Sequence, residues 1–509
     1  MNFPALLSFF CGFSSLSLEI LWFRTYSFAN NSHPSSLGFV LMAYLLGIAF
    51  GAYAGSRFCR KNMPDLYLWG ASAVALFVSG VGAVVLPRLY AWMLGEGTND
   101  PLSAIAVIAS CSAVLAFVFP IAHHLGANQN NGRGQGGRFA AVYVANVFGG
   151  ALGPLVTGYI ILDVLTLESG FLFLAALQVL VAALFFMLLF KGGYRYFGAA
   201  LGSLFVGGIL FSEQKLHGYI AVLDGRPDEP EYVVENRQGV IALYPDQKGE
   251  GDYEVYGGNV YDGRTNTDVE INTNGLHRPL LLAALQPEPE RVLMIGLSIG
   301  TWLALVKEFP GVKEIDVVEI NPGYVKAARN FSAQAKALSD PRVNLVVDDA
   351  RRWLRVNKEN KYDLIVMNTT WHWRANASML LSREFLSLIS NHLAPEGVAA
   401  FNTTSSGDAF YTAASVFPHA YKYSNFVYLA GFDFRDRKSS VESYERLVGM
   451  TMDGRPMFRQ GSGTLERFLS QEFITIEQAQ RRFSRPFEII TDDNMLTEFK
   501  YGKNLYWGF

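Results

Sequence analysis

Charge is scarce in the first two-fifths of this sequence. Only 15 Asp, Glu, Lys and Arg residues precede Ser212, against 87 in the whole chain of 509. That break divides the chain into a membrane part, residues 1–212, and a soluble remainder. Cysteine is scarce as well. Cys11, Cys59 and Cys111 all lie in the apolar part, at spacings of neither a disulfide framework nor a zinc site, and are read as buried structural thiols. His123 and His124 have no carboxylate or cysteine at ligand spacing, so no metal is expected. A net charge of −3 without a basic stripe argues against a polyanion binder, and no nucleic acid is expected as partner. The first apolar stretch has no basic leader region or small-residue cleavage site, and is read as a retained span.

What is present in the apolar part is length. A bilayer core needs about 20 apolar residues per helix. Seven stretches qualify, near 4–25, 36–56, 66–88, 102–122, 139–161, 168–190 and 195–212, the last short and Gly-rich. Gly47, Gly51 and Gly55 sit four apart, as do Gly149 and Gly153, a spacing that lets helices approach closely. Glu19 and Arg24 share the first span and are candidates for an intramembrane pair. The expected bilayer partner makes this an integral protein of the cell or inner membrane.

The soluble part begins, over 213–285, with short alternating segments broken by Gly, Asp, Asn and Pro, which predict a small antiparallel β region and a linker. From 286 to 509 strands alternate with helices: "RVLMIGLSIG", "EIDVVEI", "VNLVV", "YDLIVM" and "GVAAFNT" are the strands. That alternation predicts a largely parallel sheet with ligands at the carboxyl ends of its strands. Three strand ends then line up for a nucleoside. The turn of Gly296, Ser298 and Gly300 lets backbone approach a ligand; Glu319, about 20 residues on, is placed for ribose hydroxyls; Asp349 is placed for an adenine edge.

"VLMIGLSIGT", "DVVEINPGYVKAARNF", "LSDPRVNLVVDDARRWL" and "YDLIVMN" resemble the spermidine synthase family of aminopropyltransferases over roughly 220 to 430. "LHRPL" at 276–280 resembles the segment before that family's first Rossmann strand, and "GRFAAVYVANVFGGALGPLVTGYIIL" resembles its membrane-fused branch. The resemblance implies a class I methyltransferase-like (Rossmann-like) fold. It implies S-adenosylmethionine or its decarboxylated form as co-substrate, and a homodimer. Position by position, Glu319 matches the ribose-binding glutamate, Asp349 and Ala350 the pair that meets adenine, and Gly296 and Gly300 the glycine turn.

The departures fall on the chemistry. Where the family's G-G-G-D-G-G turn has an Asp for the aminopropyl amine, this chain has Ile299. Where the family's D-S-S-D-P motif carries its catalytic base and a second acid, this chain has Asn368 and Trp371, within "MNTTWHW". The family's Tyr-His-Glu aligns with Ile271, Asn272 and Thr273. An amide cannot take the proton of an attacking ammonium, and loss of a general base typically costs ~10²–10⁴-fold in rate. Ordinary conversion of putrescine to spermidine is therefore not expected. Removing carboxylates also removes repulsion of a donor that carries its own carboxylate. His372 is a candidate replacement base, with an ordinary pKa of ~6.5. Three function classes stay open: alkyl transfer with an altered donor or acceptor; methyl transfer or cleavage of S-adenosylmethionine to methylthioadenosine; and non-catalytic nucleoside sensing or transport.

Loop charge gives a conflicting topology. Arg57, Arg60, Lys61, Arg133, Arg138, Lys191 and Arg195 follow spans two, four and six, which puts those loops and the N-terminus in the cytoplasm. Seven full spans would leave the soluble part outside, away from a nucleoside made in the cytoplasm. Either one span is re-entrant or the loop bias misleads, and the cytoplasmic side is favoured here.

Overall fold

The computed structural model describes residues 3–61, 63–95, 100–128, 134–189, 229–246 and 251–503, with scattered positions between 200 and 208. The chain divides into two compact units, essentially the apolar part and the part from Gln238 onward.

In the apolar unit, helices α1 (Phe3–Ala29), α2 (Ser35–Cys59), α3 (Asp65–Gly95), α4 (Pro101–Ala127), α5 (Gln135–Val156, running on through a π turn at Thr157–Ile161) and α6 (Leu167–Leu189) are long and apolar enough to cross a bilayer. The shortest such run has 22 residues, or ~33 Å at the helical rise, which matches a hydrocarbon core of ~30 Å. Their outer faces carry large apolar side chains such as Phe50 and Phe148, about 70 % exposed. The seventh stretch, 195–212, lies largely outside the described residues.

The glycine spacing acts as expected. A Cβ on Gly47, Gly51 or Gly55 would fall 2.1, 2.0 or 2.2 Å from the carbonyl oxygens of Ala109, Ala113 and Phe117, so α2 lies directly on the α4 backbone. Gly149 and Gly153 admit α1 in the same way, at Phe9 and Phe13. The Glu19–Arg24 pair does not form. Five residues apart, the two point to different sides of the helix, and the Arg24 guanidinium donates to the backbone carbonyl of Asn236 at 2.9 Å. Among the described residues, an ion pair does join two of the long helices: Arg88 with Glu168, at 2.5 Å between α3 and α6. Cys11 and Cys111 are buried, Cys59 half-buried, and all three are free thiols.

The second unit opens with a small sheet of order β1 (Tyr232–Asn236), β2 (Gly239–Pro245), β3 (Tyr253–Gly257) and β4 (Val260–Arg264), antiparallel from β2 to β4. Helix α7 (His277–Leu285) leads into the main fold. There β5 (Arg291–Ile295), α8 (Thr301–Val306), β6 (Glu314–Glu319), α9 (Pro322–Ala328), α10 (Ser332–Leu338), β7 (Val343–Val347), α11 (Ala350–Val356), β8 (Tyr362–Met367), α12 (Arg383–His392), β9 (Leu393–Asn402), α13 (Gly407–Val416), β10 (His419–Tyr423) and β11 (Phe426–Ala430) follow in turn.

These strands form one seven-stranded sheet of order β10-β11-β9-β8-β5-β6-β7. It is parallel from β9 to β7, with β10 and β11 added antiparallel at one edge. Alternate residues of each strand point to opposite faces, and both faces are covered. Leu280, Leu303 and Leu305 pack with Val292, Met294 and Val366 on one side; Leu354, Phe385, Ile389 and Phe410 pack with Leu293, Ile365 and Phe401 on the other. Strands buried on both faces explain the near-continuous apolar runs of the sequence. The edge hairpin was not foreseen. Its turn, Ser424 at φ 57° followed by Asn425, interrupts two alternating aromatic runs, a hairpin signal of ordinary strength.

Candidate active site

The parallel strands bring their carboxyl ends to one edge, and a cavity of ≈ 120 Å³ lies there. Its walls come from six segments: the β4 hairpin (Tyr261, Asp262, Gly263), the stretch before and into α7 (Asn274, Arg278), the glycine turn with the start of α8 (Leu297, Ser298, Ile299, Thr301, Trp302), the end of β8 (Asn368 to Trp371), the end of β9 (Asn402, Thr404, Ser405), and Asn425.

The glycine turn has the form its sequence requires. Gly296 and Gly300 take φ 83° and 85°, where a Cβ is strained, and Ser298 between them takes 49°. A Cβ on Gly296 would lie 2.7 Å from the Asn368 carbonyl oxygen. The turn is held from beneath by Glu319, whose two oxygens accept the backbone N–H of Leu297 at 2.7 Å and of Asn321 at 2.8 Å. Burial pushes the Glu319 carboxyl up to about 7, against the amides that pull it down. So Glu319 stands under the turn and does not itself line the cavity. Asp349 caps α11, accepting the Arg352 N–H at 2.8 Å, with Ala350 buried behind it. The residues expected at ribose and adenine therefore follow one another along β6 and β7, outside the cavity, while the cavity sits on the β8 and β9 side of the turn.

Asn368 lines the cavity, with its N–H on the Ile295 carbonyl at 2.9 Å. Trp371 closes one side through an Nε1–H bond to the Tyr261 carbonyl at 3.1 Å. His372 does not line it. Its backbone N–H and its ring Nδ1 both meet Thr404 Oγ1, at 2.9 and 2.8 Å, and burial lowers its pKa. Ile299 lines the cavity and is also 1 % exposed, packed with Ile241, Leu243 and Val255. Of the segment 271–274, Ile271 to Thr273 lie outside the cavity and Asn274 lines it. Asn272 instead holds the entry to α7, through Leu276 N–H and the His277 ring. Among the described residues no cluster of three His, Cys, Asp or Glu could hold a metal ion.

Sequence reasoning missed two residues here. Among the described residues, Asp262 is the one carboxylate lining the cavity and Arg278 the one guanidinium. Burial raises the Asp262 pKa, while the hydroxyls of Tyr324 and Ser298 and the Arg374 cation pull it down. Neither residue sits at the carboxyl end of a parallel strand, where a sheet of this kind places its ligand groups. "YDGR", whose Gly263 takes φ 148°, and the "HR" that opens α7 are the available signals.

Residues 277–417 match the spermine/spermidine synthase domain. Over that stretch the chain is similar to the spermidine synthase family. A polyamine aminopropyltransferase of Oceanobacillus iheyensis is 23 % identical over 411 residues, covering 78 % of this chain and 75 % of that protein. Putrescine N-methyltransferase 3 of Nicotiana tabacum is 34 % identical over 113 residues, covering 22 % of this chain and 29 % of that protein. Among solved structures, a spermidine synthase in complex with the transition state analogue AdoDATO covers 53 % of this chain and 85 % of its own, at 16 % identity and a TM-score of 0.35. The matched residues begin with α7 and include the carboxyl ends of β5 to β9, but neither the β4 hairpin nor Asn425.

Proposed function

We propose that this is a membrane-integrated transferase that binds S-adenosylmethionine or a related thioadenosine and moves an alkyl group from its sulfonium. The observation that carries the reading is Asn368 in the cavity beside the glycine turn, with Ile299 next to it. A nucleoside laid over the turn, with its ribose toward Glu319 and its adenine toward Asp349 and Ala350, directs its sulfonium tail into that cavity. A nucleophile attacks the carbon next to sulfur, the C–S bond breaks, and its electron pair stays on sulfur as a neutral thioether. Asn368 positions the reacting groups by hydrogen bonding and takes no proton. A dicationic amine acceptor finds one carboxylate there, Asp262, beside a cation, which disfavours putrescine.

The relatives include N-methyltransferases as well as aminopropyltransferases, which favours methyl transfer as the second reading. Cleavage without an acceptor also needs no base and is compatible with the same walls. Six spans among the described residues, taken with the basic loops, favour a soluble domain on the cytoplasmic side, where the nucleoside is made.

Product analysis on the purified chain, supplied with S-adenosylmethionine or its decarboxylated form, tests this. Methylthioadenosine formed with an alkylated acceptor supports alkyl transfer, methylthioadenosine alone supports cleavage, and S-adenosylhomocysteine supports methyl transfer. Binding without any product would sink the enzymatic reading and leave nucleoside sensing.

A further inference from the structure

The cavity holds two ionisable side chains of opposite sign besides Tyr261, and the surrounding walls are amides, hydroxyls and apolar groups. Arg278 is the less expected of them. Its Nε donates to the Gly275 carbonyl at 2.9 Å, Nη2 to the Asn274 carbonyl at 2.9 Å, and Nη1 to Asn425 Oδ1 at 3.0 Å. None of these acceptors is a carboxylate. A guanidinium carries five N–H donors, so two are left over for whatever enters the cavity. The group is also fixed in place. Its Cζ lies 5.2 Å from the Trp302 ring centroid and 5.1 Å from that of Phe426, and Asn425 is tied in turn to Asn402 Oδ1 at 3.0 Å. An arginine withdrawn from water in this way normally meets an anion, and here the cavity is what it faces.

Asp262 supplies the other sign from the β4 hairpin. Its neighbour Gly263 lies against Ser298 and Asn274, which a Cβ there would approach to 3.3 and 3.4 Å. The hairpin is thereby held against both the glycine turn and the segment that carries Arg278.

We infer that Arg278 takes the carboxylate and Asp262 the ammonium of an amino-acid tail on the bound nucleoside. The cavity thereby selects a zwitterionic tail over one that bears an ammonium alone. An ammonium-only tail meets Asp262 but is repelled by Arg278, whereas a zwitterion neutralises both. The absence of acids at 299 and 368 and the presence of a cation at 278 then act in the same direction. This inference rests on the nucleoside reading above, and it names the donor as S-adenosylmethionine itself.

The test is calorimetric titration of the full chain in detergent with four probes: methylthioadenosine, decarboxylated S-adenosylmethionine, S-adenosylmethionine and its methyl ester. The wild type should bind S-adenosylmethionine about 10- to 100-fold more tightly than the decarboxylated form or the ester, the range of a charge-assisted pair. Arg278→Gln should remove that preference while leaving methylthioadenosine affinity within about twofold, and Arg278→Lys should restore part of it. Asp262→Asn should weaken both charged tails against methylthioadenosine. Methylthioadenosine affinity also reports whether each variant is folded, and the ester comparison needs no variant. If methylthioadenosine binds but the ester matches S-adenosylmethionine, or the preference survives Arg278→Gln, the tail assignment is overturned. If methylthioadenosine does not bind the wild type, the nucleoside reading itself fails and the tail assignment falls with it.

Discussion

Glu319 has two tasks in this arrangement, and removing it separates them. Its oxygens accept the Leu297 and Asn321 amides, so Glu319→Ala leaves two buried N–H groups without acceptors. Each unsatisfied buried donor costs ~1–3 kcal/mol, for a loss of about 2–6 kcal/mol in all. At ~2–4 °C per kcal/mol for a domain of this size, the unfolding midpoint of the soluble unit should fall by about 4–24 °C. Glu319→Gln keeps one acceptor oxygen and turns an amide NH₂ toward the other donor, so it should lose roughly half as much. Differential scanning fluorimetry of the full chain in detergent reads the first task. Titration with methylthioadenosine reads the second, since a ribose hydroxyl bonded to an ionised acceptor is worth ~1.5–3 kcal/mol. Glu319→Gln should therefore bind at least about tenfold more weakly. An unchanged midpoint for Glu319→Ala would refute the latch, and unchanged affinity for Glu319→Gln would refute the ribose assignment.

The same carboxyl gives a pH dependence. With its pKa raised from 4.5 to about 7, the native state keeps a proton that the unfolded chain releases, so this group's contribution to stability falls as pH rises from about 4.5 to 7. Glu319→Gln should flatten that part of a stability-versus-pH curve, and nucleoside affinity in the wild type should rise through pH 7 as the acceptor ionises. Restoring acids at the two departed positions should have unequal costs. Ile299→Asp removes a fully buried side chain, worth ~1.5–3 kcal/mol, and buries an unpaired carboxylate, so denaturant unfolding should register a loss of at least ~3 kcal/mol. Asn368→Asp, half-buried at the cavity, should stay within ~1 kcal/mol and shift nucleoside preference toward the decarboxylated donor. In the apolar unit, Gly51→Leu should lower the thermal midpoint sharply, because any Cβ there lies 2.0 Å from the Ala113 carbonyl oxygen. An unchanged midpoint would show that α2 and α4 do not pack through that glycine.

Much of this protein follows from local sequence. The spans, the β region, the order of strands and helices and the glycine turn are all periodic or compositional signals, and a residue's neighbours in the chain set them. Gly47, Gly51 and Gly55 mark a helix contact for the same reason: four-residue spacing fixes them on one face before any partner is known. What local sequence could not supply was the company each side chain keeps. Glu319 lies beneath the turn because β5 and β6 pair in parallel with Ile295 beside Val318, and that register belongs to the sheet. Arg24 and Glu19 are close in sequence yet separated by helical geometry, whereas Arg88 and Glu168 are 80 residues apart and paired. Ile299 reads as a missing acid in sequence and proves also to be core, because the small sheet packs over the turn. Most of all, Asp262, Arg278 and Asn425 come from a hairpin, a helix start and an edge turn that no motif connects. Two opposite charges and an amide scattered over 164 positions of chain become one site only where the fold brings them around the same cavity.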